Sequence, residues 1–60
     1  MTELEKMIFE IERMAILYKT AIIDEAKKGY AQYVGLIIQE TDYCQDHKDR
    51  LTDYWEGLIE

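Results

Sequence analysis

The 60-residue chain contains no proline, three glycines, one cysteine and one histidine. Without proline, no residue type is present that must interrupt a helix. A single cysteine excludes an intrachain disulfide, and a lone thiol suits a reducing compartment. Structural zinc sites gather several Cys or His side chains at recognisable spacing, so one of each is a weak basis for a metal. Long apolar runs are also missing. The longest uncharged, mostly apolar stretch, Gly29 to Gln39, falls short of the roughly 18 residues of a membrane span. Cations are few: seven Lys and Arg stand against thirteen Asp and Glu, a formal charge of -6. That balance argues against nucleic acid or an anionic membrane as a direct partner. The N-terminus, Met1-Thr2-Glu3-Leu4-Glu5, is acidic where a secretory leader needs a basic region, so the expected location is cytoplasmic.

What the chain has is apolar surface, 48% of its residues, too much for a disordered tail. Its length allows one domain, residues 1–60, whose own core is marginal. Small chains without disulfides or metals commonly reach stability by association.

Thr2 and Glu5 form a capping box, so a helix starts at about residue 3. Leu4, Met7, Ile8, Ile11, Met14, Ala15, Tyr18, Ile22 and Ala26 follow at helical spacing. Lys27 and Lys28 suit a helix C-terminus, and Gly29 suits the left-handed position after it. A second stripe runs through Tyr30, Val34, Ile37, Cys44, Leu51, Trp55 and Leu58. At about 100° per residue it is rotated by roughly 80–100° from the first, which a turn at Gly29 explains. The sequence therefore predicts an all-α antiparallel hairpin: helix 3–28, a turn at Gly29, and helix 31–59. The second helix is weakest near 41–46, where Asp42 or Asp46 could cap a separate third helix. Two hairpins would pair into a homodimeric four-helix bundle or a larger helical oligomer. In plan this resembles the RNA-binding copy-control repressors of some plasmids, but the bases that RNA binding needs are absent.

Two further lines of residues bear on function. Phe9, Ile16 and Ile23 recur every seven residues opposite Ile11, flanked by Leu17. A helix apolar on two sides is normally covered on two sides, so this line is expected to meet a second copy of the chain, a different part of the second helix, or another protein. On the second helix Asp42, Asp46, Asp49, Asp53, Glu56 and Glu60 fall three or four residues apart. Like charges at these spacings repel, and the last of them oppose the helix dipole. The strip is either a solvated face or a dock for a basic, phosphate-binding surface, as in inhibitors that mimic DNA.

Candidates for chemistry are sparse. Glu40, Cys44 and His47 share one flank and are metal-ligand types, yet Cys44 reads more simply as a small core residue and His47 as a rim residue. Nucleophilic catalysis needs a nucleophile, a base and an orienting group, and only Cys44 and His47 could supply the first two. Asp49 to Ile59 loosely resembles the end of small aspartyl-phosphate phosphatases of sporulation control. Their defining segment is Ser-Gln-Glu-Leu-Asp, and Gln45-Asp46-His47-Lys48-Asp49 shares only its last residue. The expected function is thus non-catalytic and needs no cofactor: a small acidic regulator or inhibitor that binds another protein, of a kind suited to a phage or mobile element. The alternative is a structural subunit of a homo-oligomer.

Overall fold

Thr2 starts the first helix as the capping box requires. Its hydroxyl accepts the Glu5 N–H at 3.1 Å, and the Glu5 carboxylate accepts the Thr2 N–H at 3.3 Å. The computed structural model describes residues 2–60, and the regular structure among them is all α-helix. There are three helices: α1 (Glu3–Thr20), α2 (Asp24–Gln39) and α3 (Gln45–Ile59).

Three helices replace the expected hairpin of two. The turn predicted at Gly29 lies earlier, at residues 21–23, and Gly29 sits inside α2. Ala21 (φ -69°, ψ 135°) and Ile23 (φ -108°, ψ 124°) are extended. Extended backbone suits a β-branched residue such as Ile23, and no glycine among the described residues has positive φ. The Thr20 hydroxyl donates to the Ile16 carbonyl at 2.9 Å, a local bond back across the last turn of α1. Ile22, expected on the core stripe, is 96% exposed in the turn. Lys27 lies in the first turn of α2 rather than the last turn of α1. There it opposes the dipole, but its ammonium sits 5.7 Å from the centre of the Tyr18 ring, a favourable cation–π position.

The second break falls at residues 40–44, overlapping the zone at 41–46 where the sequence is weakest. Neither Asp42 nor Asp46 caps α3: Cys44 holds the N-cap position and makes no side-chain cap bond. The end of α2 is satisfied by Thr41, whose hydroxyl donates to the Ile38 carbonyl at 2.8 Å. Lys48 reaches back from α3 to the Gln39 carbonyl at 3.0 Å.

The helices run up, down and up. The start of α1 meets both the end of α2 and the start of α3: Met7 and Ile37 line one surface depression, and Leu4 and Leu51 another. At the other end Tyr18 joins all three helices, packing edge-on to Trp55 with ring centres 5.7 Å apart and lying under Lys27. The core is Ile11, Met14 and Ala15 from α1, Val34 and Ile38 from α2, and Leu51 and Trp55 from α3. Leu4, Met7, Ile8, Tyr30, Ile37 and Leu58 pack around it, half-buried. Both predicted stripes thus feed one core, with Ile22, Ala26 and Cys44 left out. No helix among the described residues is long and apolar enough to cross a membrane.

Candidate functional site

No polar or charged side chain among the described residues is buried. The bundle therefore offers other molecules its outer faces, and these differ in chemistry.

The outer face of α3 is acidic. Leu51 and Trp55 turn inward, and at about 100° per residue Asp46, Asp49, Asp53, Glu56 and Glu60 all fall within about 60° of the opposite direction. All five are exposed. From Asp46 to Glu60 they span about 21 Å at 1.5 Å per residue. Asp42 is exposed too but lies in the connection before α3, so it adjoins the strip without sharing the helix. Starting α3 at Gln45 changes the local meaning of the first acids. Asp46 stands in the first turn, where the dipole favours an anion. Arg50 approaches Asp46 at 3.7 Å. Gln45 donates to Asp49 at 3.0 Å. Asp46 and Asp49 thus have local structural roles. Asp53, Glu56 and Glu60 have none: they lie towards the negative end of the dipole, and the last turn of α3 holds no basic residue.

The outer face of α1 is apolar. Phe9 and Ile16 are 62% and 65% exposed, and with Glu12 and Arg13 they line one surface depression. Ile23 is exposed but leaves the predicted line, because α1 ends at Thr20 and Ile23 is the N-cap of α2. Leu17 is half-buried and packs on the core. Sequence reasoning missed Leu36, an exposed apolar side chain on the outer side of α2. Its position about 200° from Val34 was the available signal.

Glu40, Cys44 and His47 are divided between elements: Glu40 caps the end of α2, Cys44 precedes α3, and the His47 ring stacks on Tyr43 with centres 4.3 Å apart. Among the described residues no group of three or more His, Cys, Asp or Glu side chains is placed to share a metal ion. Cys44 is exposed, which corrects its reading as a core thiol. As an N-cap without a cap bond it is a poor choice beside serine, whose hydroxyl accepts from the first turn. Cys44→Ser should therefore raise stability by about 1 kcal/mol, read as a higher midpoint in urea. A loss of stability would restore the packed-thiol reading.

No known family's sequence model matches this chain, and neither a curated protein nor a solved structure shows significant similarity to it.

Proposed function

We propose that this protein is a small non-catalytic regulator or inhibitor that docks on a basic surface of another protein through the acidic face of α3. The observation that carries this reading is the position of Asp53, Glu56 and Glu60. They are exposed, grouped on one outer face and placed where helix stability favours cations. Asp46, Asp49 and Asp42 extend the same surface. A rigid column of carboxylates suits a groove that otherwise receives phosphates, so the targets of choice are nucleic-acid-binding proteins.

The test separates docking from solubility. Asp53→Asn with Glu56→Gln should make α3 slightly more stable, because it removes repulsion and the adverse dipole contact. If the face docks, the same change should weaken a partner recovered by affinity capture severalfold, chiefly by slowing association. Raising salt until the Debye length falls below about 10 Å should also weaken the unmodified complex. Equal affinities for both proteins, insensitive to salt, would remove the proposal.

A second reading, as a structural subunit, rests on the exposure of Phe9, Ile16 and Ile23. These residues favour association of bundles into a homodimer or larger helical oligomer. The two readings are compatible, since the apolar and acidic faces lie on different helices.

A further inference from the structure

We infer that the outer face of α1 pairs with the same face of a second copy, the two α1 helices running parallel. In this pair Glu12 of each chain reaches Arg13 of the other. The inference rests on the self-association reading above and gives that association its geometry.

The argument begins with what flanks the apolar line. Phe9 and Ile16 are seven residues apart in α1, so they stand on one face about 10.5 Å apart at 1.5 Å per residue. At about 100° per residue, Glu5 and Glu12 lie about 30–50° to one side of that line. Lys6 and Arg13 lie about 50–70° to the other side. All four are exposed. Among the described residues none of them is in an ion pair within the chain, the only such pair being Asp46 with Arg50. The apolar line thus has an acidic edge and a basic edge, neither of them engaged in an ion pair within 4.0 Å among the described residues.

Symmetry decides which edges meet. When two copies of a helix pack in parallel about a two-fold axis along the helices, each edge of one faces the opposite edge of the other. Glu12 then faces Arg13 in two equivalent places, and Glu5 faces Lys6 in two more. The Glu5 Oε1 atom serves the Thr2 cap, which leaves its second oxygen for such a contact. Lys19, on the acidic side near the end of α1, faces Thr20 and meets no like charge. When the helices run antiparallel, each edge faces its own kind, and Glu12 meets Glu12 while Arg13 meets Arg13. Like charges set directly opposite oppose pairing.

A separate observation points the same way. The turn after α1 carries Ile22 and Ile23, 96% and 61% exposed. Parallel pairing brings the two turns to the same end of the dimer, where these side chains can cover one another. Antiparallel pairing puts them at opposite ends. The outer faces of α3 are not required for the contact, so a dimer of this kind displays two acidic surfaces.

The experiment uses the full chain carrying Cys44→Ser, which removes the native thiol. Ile16→Cys and Phe9→Cys are then introduced singly, with Leu36→Cys on α2 as the control for random collision. These sites are exposed, and circular dichroism checks that each variant remains helical. Under mild oxidation, parallel pairing links Ile16→Cys to itself and Phe9→Cys to itself, both much faster than the control. Linking only between Phe9→Cys and Ile16→Cys in a mixture would overturn the parallel arrangement while leaving self-association standing. A cysteine-free chain that remains monomeric in light scattering at high protein concentration would overturn both.

Charge reversal gives an answer that needs no cysteine. Glu12→Arg should weaken the dimer by roughly tenfold, since two exposed attractions become repulsions. The double variant Glu12→Arg with Arg13→Glu should restore it. A dimer indifferent to Glu12→Arg, or one that the double variant does not restore, counts against the pairing of Glu12 with Arg13.

Discussion

Trp55→Ala is expected to unfold the chain or bring it to the edge of unfolding. Trp55 is 5% exposed, contributes the largest side chain in the core, and packs edge-on against Tyr18. Truncating a buried Trp costs about 3–5 kcal/mol through lost transfer energy and the remaining cavity. A domain of this length has about 3–9 kcal/mol in total. Only seven of the described residues are buried in this core, so the neighbours have little capacity to fill the space. Far-UV circular dichroism at rising temperature is the measurement, and Leu36→Ala on the outer side of α2 is the comparison. The Leu36 variant should melt like the parent. A Trp55→Ala protein with a cooperative melt near that of the parent would mean that α3 does not pack as described.

Gly29→Ala and Gly35→Ala together should have the opposite effect. Both glycines lie within α2, and a β-carbon added at either meets nothing within 4 Å. Glycine in a helix interior costs roughly 0.5–1 kcal/mol relative to alanine, because the unfolded chain has more freedom to lose. The pair should therefore gain about 1–2 kcal/mol. For a domain of this size each kcal/mol moves the melting midpoint by about 4–8 °C. The sign of the change is the decisive result. If Gly29 occupied a left-handed turn, alanine there would strain the backbone and lower the midpoint.

That contrast shows how far the sequence could be read. The N-terminus of α1 was legible because Thr2 and Glu5 specify it locally, and the stripe from Leu4 to Tyr18 has one period and one consequence. Trp55 and Leu51 were legible as core for the same reason. The turn at residues 21–23 was not. Ile22 and Ala26 continue the helical spacing of α1, and Gly29 offers a conventional stop eight residues beyond Ala21. The chain breaks instead at Ala21, Ile22 and Ile23, which contain none of the usual turn residues. The break is favoured because α2 can then present Tyr30, Ala31, Val34, Ile37 and Ile38 to α1 and α3 together, a tertiary gain that no local signal reports. The break at residues 40–44 was half-visible as a weakening of the apolar pattern, but its cap was not, since Cys44 is an unusual residue to hold that position. On the candidate faces, the acidic residues of α3 were readable from spacing alone. The change in meaning of Asp46 and Asp49 followed only from where α3 begins, because a carboxylate is favourable in the first turn of a helix and unfavourable in the last.

The connections between helices, three residues from 21 to 23 and five from 40 to 44, also bear on how fast an opened copy closes again. Loops this short close in about 10–100 ns, and helical bundles built from neighbours in sequence fold in microseconds to milliseconds. With no proline, the chain has no slow prolyl isomerisation to wait for. Fast closing combined with a small core implies frequent opening, and each opening exposes the backbone to proteases. Whatever binds the closed bundle, whether a target on α3 or a twin on α1, reduces the time spent open in proportion to its occupancy. The abundance of such a protein would then follow that of its partner, with copies lacking one degraded first.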